Sequence, residues 1–272
     1  MEKENNSIFE GLTSVAAGKQ EDTMTLAFKL DKEYTKTLLM STNSFFNTSI
    51  NELLLTCLAM SLRDYSRKSR FLINLEGHGR EEFSKNIDIS RTVGWFTSIF
   101  PVFLELEDDN DIKNNLMNIK HILENIPQKG MGFGILQYLS ENSLVKSGNM
   151  NINPEISFNY LGRLDNEGLY ERMKVREFRS GLYIDPGSER FHILDYVGVV
   201  TDEEFTLSIS FPGTLIEKAE IEKLLGFYKK RLVEMLDLCD KEETGLQKFL
   251  YDEITEDQLQ SLQAELSDLD LD

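Results

Sequence analysis

The sequence has few of the residues that metal sites and disulfide frameworks need. Its 272 residues include two cysteines and three histidines. Cys57 and Cys239 lie far apart and fit no metal-ligand spacing, so we expect no metal site and a reducing, cytoplasmic setting. No run approaches the roughly 18 apolar residues of a membrane span, and the polar residues 1–6 are not a signal peptide. The sequence therefore predicts neither a membrane-spanning segment nor a disulfide scaffold.

Positive charge is also scarce. The chain has 29 lysines and arginines against 47 acidic residues, a net charge of −18. This balance argues against nucleic acid or an anionic membrane as a partner, because phosphate contacts need clustered basic side chains. Residues 241–272 contain ten acidic residues and two lysines. We expect this acidic tail to be a solvated or partner-binding appendage.

Short alternating or apolar segments predict strands, and apolar stripes of helical period predict helices. The predicted strands are residues 24–30, 71–75, 99–104, 156–161, 191–200 and 205–211. The predicted helices are residues 31–39, 49–65, 110–125 and 216–238, with a short helix after a glycine-rich turn at 127–134. This order favours an α/β layered domain with a largely covered sheet. We expect a flexible lead-in at 1–22, one lobe at 23–240 and the acidic tail at 241–272.

Side chains that can move protons are concentrated directly after the strand predicted at 71–75. Residues 76–81 read EGHGRE, and residues 91–98, RTVGWFTS, follow ten residues later and open the next strand. The two glycines of the first motif allow the backbone to approach a bound molecule closely. A carboxylate, an imidazole and a guanidinium beside a buried strand are what an acid–base site without a cofactor needs.

Four ordered segments, with a fifth match at residues 50–56 (INELLLT), carry a resemblance to a known family. They are residues 76–81 (EGHGRE), 91–102 (RTVGWFTSIFPV), 127–134 (PQKGMGFG) and 158–165 (FNYLGRLD). In order and spacing, residues 24–240 resemble the C-terminal half of an epimerization domain of a nonribosomal peptide synthetase, a branch of the condensation-domain superfamily. The EGHGRE and GWFTS forms favour epimerization over ordinary condensation domains.

The resemblance implies an α/β lobe like that of chloramphenicol acetyltransferase, with a mixed sheet covered by helices. The family's other lobe, the N-terminal one, carries a His-His-x-x-x-Asp-Gly motif, which is absent from this sequence. We therefore expect half of a catalytic unit that is inactive alone, whether as an excised piece, a split gene or a decayed remnant.

The reaction implied by the resemblance is L-to-D inversion at the α-carbon of an aminoacyl or peptidyl thioester. The substrate hangs on the 4'-phosphopantetheine arm of a peptidyl carrier protein, and no other cofactor is implied. The matching positions make Glu76 and Tyr160 the candidate catalytic residues. The candidate substrate-binding residues are His78, Arg80, Trp95 and Asn159.

Each of these roles has a structural alternative. Glu76 alone in a strand would be a solvated carboxylate, His78 a structural residue, and Arg80 an ion-pair partner of a nearby glutamate. Tyr160 and Trp95 have packing roles as their alternatives.

At the level of function, the alternatives are a non-catalytic module that docks carrier proteins or subunits, and a peptide-bond-forming condensation domain fragment. Residues 250–272 have an apolar stripe bracketed by carboxylates. They are either a communication helix that docks on a downstream condensation domain or a disordered acidic end.

Overall fold

The computed structural model describes residues 7–9, 17–45, 47–80, 88–89, 91–107, 111–140, 152–164 and 184–253. The strands are β1 (Thr23–Lys29), β2 (Arg70–Gly77), β3 (Ser98–Glu105), β4 (Ile156–Arg163), β5 (Leu194–Thr201) and β6 (Glu204–Pro212). The α-helices are α1 (Lys32–Phe45), α2 (Ile50–Ser66), α3 (Ile112–Glu124), α4 (Met131–Leu139) and α5 (Lys218–Glu253). Short 3-10 helices occupy Gln20–Asp22 and Pro127–Gly130.

The strands form one mixed sheet in the order β1-β6-β5-β4-β2-β3. β4 runs parallel to both of its neighbours, β2 and β5, whereas the other pairs are antiparallel. The parallel pairs need long connections, and the one between β2 and β4 contains strand β3 and helices α3 and α4. This arrangement confirms the predicted α/β class with a mixed sheet.

The described helices pack on one face of the sheet. Alternate strand residues such as Ile73, Phe158 and Tyr196 point to that face and are at most 1% exposed. The residues between them are exposed or half-buried on all six strands, apart from the buried Pro212 at the end of β6. We call this second side the open face. The sequence analysis expected a largely covered sheet; among the described residues, helices cover one face, and open-face positions often carry Ser, Thr, Asn or Asp.

Capping groups begin the helices at the predicted places. Ser49 and Glu52 form the capping box of α2, each accepting a hydrogen bond from the backbone N–H of the other. Asp111 accepts from the N–H groups of the first turn of α3. These bonds satisfy backbone donors that have no partner within the helix.

Helix α5 is longer than predicted. The sequence analysis placed its end at residue 238 and a separate tail from residue 241, whereas the helix continues without a break to Glu253. The predicted apolar stripe is buried, with Tyr228, Leu232 and Met235 fully inaccessible. Most of the predicted communication helix, residues 254–272, lies outside the described residues. No helix in the described part of the chain is long and apolar enough to cross a membrane.

Part of the predicted flexible lead-in is packed against the lobe. Ser7, Ile8 and Phe9 are 5%, 5% and 8% exposed. The Phe9 ring meets the Tyr65 ring edge to face at 5.8 Å, and Lys68 Nζ donates to the carbonyl of Ser7 at 2.6 Å. The polar surroundings of this short apolar pair hid its packing role from sequence inspection.

Candidate functional site

Two sets of polar side chains lie on the open face. The residues of the first set are register partners on neighbouring strands. The first, which we call the central row, consists of Asn74, Ser157, Asp195, Ser210 and Thr25. The second consists of Glu76 and Asn159, two residues further along β2 and β4. Side chains repeat on one face every two residues, so both sets are presented on the same side of the sheet.

Glu76 and Asn159 form a hydrogen-bonded pair. Asn159 Nδ2 donates to Glu76 Oε2 at 2.7 Å. Glu76 is reachable from solvent, yet enough protein surrounds it that partial burial raises the pKa of its carboxyl above the ordinary value; His192 opposes this effect and Asp195 reinforces it. A carboxylate that binds a proton more readily is a better general base near neutral pH.

The backbone after Glu76 packs closely against the GWFTS motif at residues 94–98. Gly79 has φ +64°, and a Cβ at this position would lie 1.5 Å from the carbonyl oxygen of Phe96. Only glycine fits such a close approach in this left-handed conformation. The exposed His78 ring accepts the backbone N–H of Arg80 on Nδ1 at 3.0 Å.

Arg80 holds the loop that carries Trp95. Its guanidinium donates to the carbonyls of Ile89, Thr92 and Gly94 at 2.9, 3.0 and 3.4 Å. It also lies over the Phe96 ring, 4.3 Å from the ring centroid. Within the described residues, the guanidinium contacts this loop and not Glu76. The geometry therefore supports a role for Arg80 in organising the loop, and its predicted contact with substrate stays a prediction.

The PQKGMGFG segment braces strand β3. Its first half is the 3-10 helix Pro127–Gly130, and its second half begins α4 instead of extending the predicted turn. Gly130 has φ +83°, and a Cβ there would fall 2.1 Å from the Phe100 ring. The glycine is therefore needed for packing against β3.

The structure separates Tyr160 from Glu76. Asn159 and Tyr160 are adjacent in β4 and point to opposite faces of the sheet. The Tyr160 ring lies 6.4 Å from the Phe205 ring on the helix-covered side, and burial raises the pKa of its hydroxyl. Trp95 is 91% exposed, so it packs against none of the described residues. The structure thus brings together Glu76 and Asn159 but not Tyr160.

Sequence inspection missed a cluster at the start of β5. The strand was predicted from residue 191 but begins at Leu194, because residues 190–193 fold across the open face. His192 Nδ1 lies 3.0 Å from Asp195 Oδ1, and Asn74 Nδ2 lies 2.9 Å from His192 Nε2. The spacing Arg-x-His-x-x-Asp before an apolar strand was the available signal.

Asp195 is the centre of this cluster. Ser157 Oγ donates to Asp195 Oδ1 at 2.6 Å, and Arg190 Nη2 donates to Asp195 Oδ2 at 2.8 Å. Burial opposes the charge on Asp195, but the hydrogen bonds from His192 and Ser157 outweigh it and lower the pKa of the Asp195 carboxyl. The pKa values of these two acidic groups of the open face are therefore shifted in opposite directions, that of Glu76 up and that of Asp195 down. Among the described residues, no group of three His, Cys, Asp or Glu side chains is placed to hold a metal ion.

Comparison with known proteins assigns the family. The model of the family described as "Condensation domain" matches residues 4–258. The chain belongs to the condensation-domain family. Tyrocidine synthase 2 of Brevibacillus parabrevis is 35% identical over 227 residues, which are 84% of this chain and 6% of that protein. The chain thus spans a small part of that relative, and the predicted resemblance to peptide synthetase domains is confirmed.

Solved structures of this family share the fold. The epimerization domain from the third module of tyrocidine synthetase B matches with a TM-score of 0.77 and 34% identity, covering 85% of this chain and 51% of that one. A structure that concerns condensation-domain-mediated chain release from the enacyloxin polyketide synthase matches with a TM-score of 0.55 and 13% identity, covering 79% of this chain and 41% of that one. At that identity the second match shows the fold alone. This member of the condensation-domain family spans about half of the solved epimerization domain.

Proposed function

We propose that this chain is one lobe of an epimerization domain that inverts the α-carbon of an aminoacyl or peptidyl thioester from L to D. The Glu76–Asn159 pair is the observation that carries the proposal. It presents a carboxylate with a raised pKa on the accessible face of the sheet, held by a neutral donor. The match to the tyrocidine synthetase epimerization domain, at 34% identity and a TM-score of 0.77, supports this reaction.

Inversion needs two proton-transfer groups on opposite sides of the substrate. One group removes the α-proton, the thioester carries the resulting enolate charge, and the other group returns a proton to the opposite face. Glu76 supplies one of these groups, and Asn159 orients it. A second lobe bearing the His-His-x-x-x-Asp-Gly motif supplies the other wall. Tyr160, on the other face, is a weaker candidate for either transfer.

The partners follow from this reaction. A peptidyl carrier protein delivers the thioester on its 4'-phosphopantetheine arm, which extends between the two lobes. His78 and Trp95 stand in the loops next to Glu76 and contact the arm or the substrate. Residues 250–272 serve as a docking helix for a downstream condensation domain.

The experiment that tests this proposal provides the missing lobe in a fusion protein. The chain is fused behind the first lobe of the tyrocidine synthetase epimerization domain and incubated in deuterated water with a carrier-bound aminoacyl thioester. We expect exchange of the α-proton by the fusion but not by the chain alone. Glu76→Gln should lower the exchange rate at least about a hundredfold, because a positioned acid–base group contributes about that much or more.

Glu105→Gln is the matched control. Glu105 lies on the open face at the far end of the same β2–β3 hairpin, so this variant should keep the wild-type exchange rate. Equal exchange by Glu76→Gln and wild type would contradict the assignment of Glu76. Formation of a peptide bond between two carrier-bound aminoacyl groups would favour the condensation reaction.

A non-catalytic docking module is the second candidate, and exposed apolar side chains favour it. Val93 and Trp95 are 99% and 91% exposed, and Tyr138 and Leu139 on α4 are 78% and 74% exposed. Exposed apolar side chains of this size are typical of a surface that a partner covers. In the same experiment, carrier binding by the fusion without any proton exchange would support this candidate.

A further inference from the structure

His192 joins two members of the central row, Asn74 and Asp195, into a chain of three side chains that ends beside Glu76. Asn74 Nδ2 faces His192 Nε2 at 2.9 Å, and His192 Nδ1 faces Asp195 Oδ1 at 3.0 Å. With the imidazole neutral, one proton on Nδ1 satisfies both contacts, because Asn74 then donates to Nε2 and Nδ1 donates to Asp195. The carboxylate thereby selects the tautomer of the ring.

Hydrogen bonds from neighbouring groups fix these three side chains from several sides. The His192 and Arg190 side chains are 14% and 2% exposed. Arg190 Nη1 donates to Thr23 Oγ1 at 2.7 Å, its Nη2 donates to the Ser210 carbonyl at 3.1 Å, and Ser157 donates to Asp195. The ring is therefore fixed by its neighbours and is not a freely rotating surface side chain.

Asn74, the first of these three side chains, lies on the same face of β2 as Glu76. Asn74 and Glu76 are two residues apart on β2, which places their side chains about 7 Å apart on the same side. A second proton on His192 would put an N–H against the Asn74 amide nitrogen, so the amide must turn to present its oxygen. The charge on the ring is thus linked to the group next to Glu76 in β2.

We propose that His192, oriented by Asp195, is a positioning residue that sets the charge beside Glu76 and so tunes Glu76 as a proton-transfer group. The charged groups that face the ring are Asp195 from β5, Arg190 from the preceding segment and Glu76 from β2. His192 favours the ionised form of Glu76, whereas Asp195 disfavours it. The link to catalysis rests on the proposed function, but the charge coupling itself does not.

The test is a carboxyl carbon NMR titration of the full chain, with Glu76→Gln used to assign the Glu76 signal. We expect the Glu76 titration midpoint to rise in His192→Gln and to fall in Asp195→Asn, because His192 favours the ionised form of Glu76 and Asp195 disfavours it. His121→Gln is the matched control, since His121 lies on α3 and contacts Asn125; its midpoint should equal that of wild type. An unchanged midpoint in His192→Gln, or shifts in the same direction for both variants, would overturn the proposal.

The reciprocal measurement covers the case in which a His192 or Asp195 variant does not fold. Coupling between two sites must act in both directions. In wild type, the ring-proton signals of His192 should therefore shift as Glu76 titrates, and this shift should be lost in Glu76→Gln and kept in Glu105→Gln. The same shift in Glu76→Gln and wild type would overturn the coupling.

The proton-exchange assay with the fusion protein separates this proposal from the proposed function. If the two groups are coupled and the pH profile of exchange shifts with the Glu76 midpoint in His192→Gln, both proposals are supported. Coupling without any exchange would remove the function and the catalytic link while leaving the charge coupling intact. Exchange without coupling would overturn the role of His192 alone.

Discussion

The helix-covered face and the open face of the sheet share six strands but are stabilised by different interactions. On the covered face, Phe158 and Tyr196 sit in an apolar core. On the open face, the neighbouring residues Asn159 and Asp195 are held by directional hydrogen bonds. On the covered face, burial of apolar area contributes most of the stability, whereas on the open face stability depends on hydrogen bonds between polar groups. The same backbone thus separates fold stability from the chemistry that it presents.

The largest expected effect compares two adjacent residues of β4. Phe158→Ala should lower the free energy of unfolding by about 3–5 kcal/mol, because it leaves a cavity in the core. Asn159→Ala should cost no more than about 1 kcal/mol, since it removes one contact on an accessible face. Urea unfolding followed by circular dichroism measures both values. Similar losses in the two variants would show that the faces are not energetically distinct.

An intermediate effect is expected from Asp195→Asn. Arg190 would keep its buried charge with a weaker partner, so we expect a loss of about 2 kcal/mol at neutral pH, below the cost for a fully buried pair. The pKa of Asp195 is lowered in the folded state. Its contribution is therefore complete above the ordinary carboxyl pKa of about 3.9 and is lost as the pH falls through the lower folded value.

Urea unfolding of wild type and Asp195→Asn between pH 3 and pH 7 measures this dependence. The difference between the two proteins should be constant at neutral pH and should shrink in acid. A difference that grows as the pH falls would have the wrong sign for a stabilising carboxylate.

The smallest effect is expected at the edge of the open face. Thr25 Oγ1 and Ser210 Oγ lie 2.8 Å apart on the edge pair β1–β6, in an exposed position. Thr25→Ala should therefore cost about 0.5 kcal/mol. Thermal unfolding beside wild type measures this value, and a loss as large as that of Asp195→Asn would show that the central row is stabilised evenly along its length.

Much of the fold could be predicted from local patterns. The alternation in residues 24–30, the capping box at Ser49 and the buried stripe of α5 each depend on neighbours in sequence, and the structure confirms them. The strand order could not be derived in this way, because pairing of β4 between β2 and β5 depends on contacts between distant segments. The burial of Ile8 and Phe9 likewise depends on a groove formed by other elements.

The candidate site shows the same division. The EGHGRE and FNYLGRLD motifs pointed to Glu76 and Asn159, which the structure joins by a hydrogen bond. The period of two in a strand could have placed Tyr160 on the face opposite Asn159, yet the motif treated them together. His192 and Asp195 were missed because their chemistry arises only where residues 190–193 fold back towards Asn74.

The unbroken helix α5 gives the lobe a rigid rod. Its 36 residues extend about 54 Å at 1.5 Å per residue. Leu232 and Met235 anchor one part of the helix in the core, and the helix continues without a break to Glu253. A neighbour docked on the last turns would therefore be held at a distance from the sheet that the helix sets.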